Sequence, residues 1–250
     1  MIDFHSHIIP RIDDGSESEE ETEHLLLEAK KAGFNKIIST SHYYVGRYET
    51  DEETRKELLK KINQIIKFEE IDLEIYLGSE IYIVPDIIDL LSDLKASTLN
   101  MTRYILIELP FIDEVYNLKD ILYNLMGRKY KIIIAHPERY KIVQKNPDIL
   151  AELIELGVLF QSNYGSILGF YGKKAQKTVK KLLKADMVHF LGTDVHEKNS
   201  IYPKIPKALK KIEKIVGRRR LRDLTTRNAE MILNDMEFEA YEPKRIKKRR

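Results

Sequence analysis

Imidazoles and carboxylates recur in this sequence where short apolar runs end, and their types suit divalent-metal chemistry. His5 and His7 lie two apart in Ile-Asp-Phe-His-Ser-His, a run with strand character, so both point to one face. Pro10 stops that run, and Asp13-Asp14-Gly15 makes a turn carrying two carboxylates. A lone His-x-His is more often incidental to a half-buried strand. Here, however, His42, Glu80, Glu108, His136, Asp194 and His196 each follow a further apolar run. With Asp14 these make nine candidate ligands, five imidazoles and four carboxylates. Nine are too many for one ion, while three ions could share them. The mixed N/O set suits Mn, Fe or Zn better than Ca or Cu(I). Three dications against four carboxylates and a bridging hydroxide leave a positive cluster, which attracts a dianion such as a phosphate monoester. A purely structural metal site would instead close its coordination with protein ligands. Of the remaining histidines, His24 lies among glutamates on a helix, and His189 is expected in the core.

The elements that must position these groups alternate. Strand-like runs are expected near Ile2, at 36–40, 73–77, 104–107, 131–135, 158–161 and 187–191. Helical spacing predicts helices over 17–33, 51–68, 85–94, 118–126, 147–156, 173–184, 206–216 and 221–234, with Gly33, Gly127 and Gly157 at their ends. A Gly- and Ser-rich loop containing Asn163 is expected after the sixth run. Seven strand–helix units argue for a parallel α/β architecture, and seven in 250 residues suit a closed or nearly closed barrel. In such barrels the loops at the C-terminal strand ends build the site, so the nine ligands would share one mouth.

Composition limits the alternatives. Hydrophobic residues make up 43% and charged residues 33%, which fits a globular chain with a substantial core. No apolar stretch approaches the ~20 residues of a membrane helix, and no secretory signal is expected at the N-terminus. The absence of cysteine excludes disulfides, thiolate sites and a cysteine nucleophile, and fits a cytoplasmic protein. Residues 244–250 carry six basic side chains; without them, 36 basic residues face 40 acidic ones. The body is therefore not basic, and nucleic acid is not an expected partner. Residues 1–235 are expected to form a single domain, followed by a disordered basic tail over 236–250.

His-x-His near the start, Asp-Asp-Gly, His42, Glu80, Glu108, His136-Pro137-Glu138-Arg139-Tyr140 and Asp194-x-His196 resemble the polymerase and histidinol phosphatase (PHP) superfamily. Within it the chain is similar to the manganese-dependent bacterial tyrosine-protein phosphatases of capsule and exopolysaccharide operons, the CpsB/YwqE type. The resemblance spans roughly residues 1–235, including Gln161-Ser162-Asn163 and Asn228-Ala229-Glu230. It implies a distorted (β/α)7 TIM-like barrel with a trinuclear manganese site. One ion would take His5, His7, Glu80 and Asp194; a second would share Glu80 and add Glu108 and His136; the third would take Asp14, His42 and His196. Arg139 matches a phosphate-binding arginine. Relatives often carry another arginine soon after Asp-x-His. Here Ser200-Ile201-Tyr202-Pro203 lacks one, and Lys198 or Lys204 could replace it only as a point charge.

The implied reaction is hydrolysis of protein phosphotyrosine by a metal-bridged hydroxide. The implied substrate is the tyrosine-rich tail of a membrane-associated bacterial tyrosine kinase that regulates capsule synthesis. Two alternatives stay open: another PHP phosphoesterase such as histidinol-phosphate phosphatase, and a non-catalytic metal-binding regulator of polysaccharide assembly. Glu138 or Arg11 could shape the pocket or lie on the surface. An oligomer is left open.

Overall fold

Strands that are apolar on both faces must be covered on both, and this chain covers them by curling a parallel sheet within a layer of helices. The computed structural model describes residues 1–246. In order these form β1 (Ile2–Ser6), α1 (Glu19–Lys31), β2 (Lys36–Ser39), β3 (His42–Tyr43), α2 (Glu52–Phe68), β4 (Glu74–Leu77), β5 (Glu80–Tyr82), α3 (Ile87–Ser92) and β6 (Tyr104–Glu108). Then follow α4 (Leu118–Gly127), β7 (Lys131–Ala135), α5 (Lys141–Lys145), α6 (Ile149–Glu155), β8 (Leu159–Asn163), α7 (Tyr164–Leu168), α8 (Gly172–Lys184), β9 (Phe190–Gly192), α9 (Ile205–Arg222) and α10 (Asn228–Leu233).

All strand pairs are parallel, in the orders β1-β2-β4 and β3-β5-β6-β7-β8-β9. The two sheets are one layer, because β2 resumes as β3 and β4 as β5 after short breaks. Beyond β9 the chain pairs with β1: Asp194 N donates to His5 O (2.8 Å) and His7 N to Val195 O (3.0 Å). Asp3, fully buried, ties the same seam by accepting from Thr193 N (2.8 Å), Thr193 Oγ1 (2.6 Å) and Tyr202 Oη (2.9 Å). Seven strand positions thus form the curled sheet of a distorted (β/α)7 barrel, as expected.

Arg55 of α2 explains how the two strand breaks are tolerated. It is fully buried and donates to the carbonyls of Ser41 (3.0 Å), His42 (2.9 Å), Thr50 (2.9 Å) and Gly78 (3.2 Å), and to Ser79 Oγ (2.9 Å). Peptide groups that leave the ladder therefore keep partners. Helix ends follow local chemistry: Ser18 caps α1 and Asp51 caps α2, each with acidic residues in the first turn.

The barrel interior is filled on one side of the site by Ile2, Phe4, Leu106, Ile133, Leu159 and Phe190, with Phe4 and Phe190 stacked at 4.2 Å. Ala229, Ile232 and Leu233 of α10 pack into the same cluster. A second cluster lies between the strands and helices, using the alternate residues Ile37, Ile105, Ile132 and Phe160. In β1 the register slips between Asp3 and Ser6.

Several sequence expectations need correction. Gly127 lies inside α4, and Lys129 (φ 69°) makes the left-handed exit. The Gly/Ser loop after β8 contains α7, and α5 follows a single turn at Pro137–Arg139. The two expected C-terminal helices, by contrast, are present: α9 is interrupted at Gly217 (φ 77°), and its second part continues through a wide turn at Asp223–Arg227 into α10. The tail over 236–250 is not wholly a solvated one. Tyr104 Oη donates to Met236 O (2.7 Å), the Phe238 ring lies 5.5 Å from that of Phe190, and Lys244 N donates to Ala185 O (2.9 Å). An aromatic side chain that the core can bury holds this charged segment down. Residues 247–250, with four of the basic side chains, lie outside the described residues. Among the described residues no helix is long and apolar enough to cross a membrane.

Candidate metal centre

The nine candidate ligands lie at the C-terminal rim of the strands, and the structure brings them together around Glu80. Glu80 Oε2 is 3.2 Å from His5 Nε2, 3.4 Å from His7 Nε2 and 3.1 Å from His42 Nδ1, while Oε1 is 2.8 Å from His136 Nε2. Asp194 Oδ1 stands 3.5 Å from the Nε2 atoms of both His5 and His7. Glu108 reaches His136 Nε2 at 3.6 Å and His42 Nδ1 at 3.9 Å. Asp14 Oδ1 lies 3.4 Å from His196 Nε2 and 3.5 Å from His42 Nε2.

The ligand atoms fall into three groups, each within 4.8 Å: His7, Asp14, His42 and His196; His5, Glu80, His136 and Asp194; and His42, Glu80 and Glu108. The same nine residues lie together here, grouped differently from the expected partition. His7 joins Asp14, His136 joins His5, and His42 faces two groups.

Two local features aim the β1 histidines. Because the register slips after Asp3, Ile2 and Phe4 fill the barrel while His5 and His7 reach the rim; bulges re-aim side chains in this way. The flanking turns must then approach closely. A Cβ on Gly192 would meet His5 Cβ at 2.5 Å, and one on Gly15 would meet His7 O at 2.3 Å. Further round the rim, His136 (φ 31°) and Asp194 (φ 54°) adopt left-handed backbone conformations, strain of the kind found at functional sites.

The residues fit divalent cations. His42 Nδ1 and His136 Nδ1 are buried without hydrogen-bond partners, the former beside Glu80 but not aligned with it. The Nε2 atoms of His5 and His7 face each other at 3.0 Å. Burial, with Glu80 and Asp194 close by, pushes Glu108 up to about 9, and burial holds His42 down to about 4. Against the cost of burial, His5, His42 and His136 keep Glu80 well below the usual carboxylate range. Opposed shifts in one buried cluster mark a site built for charge that cations would balance.

A second layer fixes which nitrogen each histidine presents. Asp13 Oδ2 accepts from His7 Nδ1 (2.8 Å) and from the backbone N–H of His42 (2.8 Å). Gln161 Oε1 accepts from His5 Nδ1 (2.9 Å). Both rings therefore carry the proton on Nδ1 and offer the Nε2 lone pair inward. Gln161 Nε2 donates to Asn163 Oδ1 (2.8 Å), and Asn163 Nδ2 to Asp194 Oδ2 (2.6 Å). The sequence reading passed over Asp13 and Gln161 as functional groups. Their signals were the doubled carboxylate before Gly15 and the two-residue spacing of Gln161 and Asn163.

Arg139 donates to Asp194 Oδ2 (2.8 Å), and its guanidinium lies 4.4 Å from the ring centres of both Phe111 and Tyr171. The cleft outside the ligands, about 430 Å³, is lined by Asp14, Phe170, Tyr171, Asp194, His196 and Ser200. Lys204 Nζ sits 4.8 Å above the Phe170 ring at its edge, whereas Lys198 is fixed through its backbone N–H to Glu21. Glu138 is fully buried and accepts from Asn163 N (2.9 Å) and Ser166 Oγ (2.6 Å), so it supports the end of β8. Arg11 is exposed and bonds Glu17 O (3.1 Å). His24 is outside the cluster, and His189 is buried in the core.

Comparison with known proteins gives concordant results. The family model described as "Capsular polysaccharide synthesis, CpsB/CapC" matches residues 1–234. Tyrosine-protein phosphatase YwqE of Bacillus subtilis is 32% identical over 250 residues, covering 100% of this chain and 98% of that protein. Tyrosine-protein phosphatase CpsB of Streptococcus pneumoniae is 35% identical over 240 residues, covering 94% and 99%. A crystal structure reported for YwqE and CpsB, described as unique metal-dependent tyrosine phosphatases, superposes with a TM-score of 0.93 at 31% identity, covering 99% of this chain and 100% of that one. Histidinol phosphate phosphatase from Lactococcus lactis shares the fold, with a TM-score of 0.56 at 18% identity, covering 86% of this chain and 94% of its own.

Proposed function

This chain belongs to the CpsB/CapC capsular polysaccharide synthesis family, and from that premise we propose that it is a metal-dependent protein-tyrosine phosphatase. One observation carries the reading: nine imidazole and carboxylate side chains from several strand ends converge in three groups, and Arg139 is hydrogen-bonded to Asp194, which lines an open cleft. His5, His7, Asp14, His42, Glu80, Glu108, His136, Asp194 and His196 would hold the ions. We assign three, with manganese as the native metal. When bound, such ions supply Lewis acidity and lower the pKa of an attacking water.

The remaining steps belong to this chain's residues and the substrate. Arg139 orients the phosphoryl group by donating to its oxygens, with Phe111 and Tyr171 holding the guanidinium flat. Lys204, at the cleft edge, adds a point charge where relatives often carry an arginine. Water forms the new P–O bond on the face opposite the tyrosine oxygen, the ester P–O bond breaks, and phenolate leaves with its electron pair before taking up a proton. A phenol with a reference pKa of about 10 leaves readily, so no protein acid is required. With no cysteine in the chain, a phosphocysteine intermediate is excluded. The substrate is a phosphotyrosine polypeptide, for which we propose a membrane-associated kinase of the cytoplasm.

The test is hydrolysis of 4-nitrophenyl phosphate and of a phosphotyrosine peptide before chelation, after it, and after Mn2+ is restored, with elemental analysis of the purified protein. Loss and recovery of both activities is expected. Turnover of histidinol phosphate far above that of the peptide would replace this substrate assignment, and turnover unaffected by chelation would end the metal assignment.

A further inference from the structure

Helix α8 reads Gly-Lys-Lys-Ala-Gln-Lys-Thr-Val-Lys-Lys-Leu-Leu-Lys, with six lysines and no acidic residue. Its apolar stripe of Ala175, Val179, Leu182 and Leu183 is buried, so the lysines fall on the outer face. Helix α5 brings Lys141 and Lys145 alongside. Between the two helices lies a groove of about 410 Å³, walled by Lys141, Lys145, Lys174, Lys177 and Lys181 with no carboxylate in its lining. Among the described residues none of these five lysines has an ion-pair partner. Five ammonium groups around one concavity repel each other unless an anion enters. A run of solvated lysines on a single helix would carry no such meaning; convergence from two elements does.

The groove starts at the catalytic corner. Helix α5 begins two residues after Arg139, and α8 begins directly after Tyr171, whose hydroxyl donates to Asp194 Oδ2 (3.2 Å). At a rise of ~1.5 Å per residue, Lys181 lies about 15 Å along α8 from Tyr171. An extended peptide covers that distance in roughly four or five residues.

We propose that this lysine groove is a docking site for acidic residues flanking the phosphotyrosine of a polypeptide substrate. The proposal rests on the phosphatase reading and adds to it a rule of substrate choice: acidic side chains two to five positions from the phosphotyrosine, on one side of it, enter the groove. A concavity fits an extended chain, whereas an anionic lipid surface calls for lysines on a protruding face.

Two peptide series test this, with three glutamates placed either N-terminal or C-terminal to phosphotyrosine, each against a glutamine control. In the metal-loaded enzyme one acidic series should show a KM about five- to tenfold lower than its control, the amount two or three screened ion pairs supply. Its kcat should be unchanged, and the advantage should fade at 0.5 M salt. The Lys141→Gln/Lys174→Gln/Lys177→Gln variant should lose that preference and keep the wild-type rate on 4-nitrophenyl phosphate. Equal KM values for acidic and neutral peptides in the wild type would overturn the proposal. So would a preference that survives in the variant, or lysines that govern only co-sedimentation with anionic vesicles. No turnover of 4-nitrophenyl phosphate by the wild type would instead defeat the phosphatase reading itself.

Discussion

A carboxylate that grips both a histidine ring and the backbone of a second histidine controls more geometry than its size suggests. Asp13 does this for His7 and His42, and the Gln161 amide oxygen holds the His5 ring in the same way. Asp13→Asn keeps the shape but introduces an amide that can present N–H to His7 Nδ1, so the ring loses its enforced tautomer. Metal affinity should fall by about 10- to 100-fold, the usual range for such orienting partners. Competition against a fluorescent chelator would measure it, with far-UV circular dichroism showing an intact fold. His136→Ala removes a proposed ligand just past β7 without disturbing the strand core. It should abolish most phosphotyrosine-peptide hydrolysis while unfolding in urea within about 1 kcal/mol of the metal-free wild type. Wild-type turnover by this variant would remove His136 from the proposed centre. The sequence exposed the candidate ligands because most of them are a His, Asp or Glu just past an apolar run, a position with few structural uses. It exposed the orienting groups poorly. Asp13 reads as turn chemistry and Gln161 as an ordinary strand residue, and their roles depend on which ring nitrogen faces inward.

Strand breaks dominate at the scale of elements. The stretches 36–43 and 74–82 each pause before resuming at a candidate ligand, His42 in one and Glu80 in the other. Arg55 fills the gap between them. Burial lowers its pKa to about 10, still far above neutrality, so it remains a cation solvated by peptide carbonyls. Arg55→Leu would strand several buried carbonyls at a cost of about 1–3 kcal/mol each before relaxation, so a loss on the order of 3 kcal/mol is expected in urea unfolding. Because the same carbonyls position His42 and the approach to Glu80, metal affinity should drop as well. A variant with wild-type metal affinity would show the breaks to be held by other means. The element pattern was legible from alternating β-branched runs and helical spacing, and all seven strand positions appeared there. The breaks, the slip in β1 and the short helices α5 and α7 were not. Each is decided by one long-range interaction, such as Arg55 with Gly78 or the close approach of His5 to Gly192.

For the molecule as a whole, the barrel couples its stability to charges that the sequence only counts. The balance of basic and acidic residues did not reveal the lysine groove, because patches form in space rather than along the chain. Bound ions should stabilise the fold through linkage: about 4 kcal/mol at a thousandfold excess over Kd, or roughly 8–16 °C in Tm for a chain of this size. Removing them by chelation should lower Tm by that amount, and an unchanged Tm would show that the folded chain does not hold such ions. His189, in the core between β8 and the turn before α10, gives the opposite kind of coupling, one to pH. Its Nδ1 accepts from Phe160 N (2.9 Å), its Nε2 has no partner, and Asn228 donates to its carbonyl (2.8 Å). Burial, and secondarily the nearby Arg220 cation, hold the ring down to about 3 against an ordinary 6.5. The folded state therefore binds fewer protons than the unfolded one. Stability from this group is complete above pH 6.5 and declines as pH falls toward 3, by about 1.4 kcal/mol per unit. Between pH 7 and 4.5 the loss should be about 2–3 kcal/mol. His189→Gln keeps an acceptor for Phe160 and does not titrate, so its urea stability should fall less over that interval by this difference. Other titrating groups contribute equally to both proteins and cancel in the comparison. Parallel stability curves for the two would mean that His189 is protonated in the fold, contrary to its place in an apolar core.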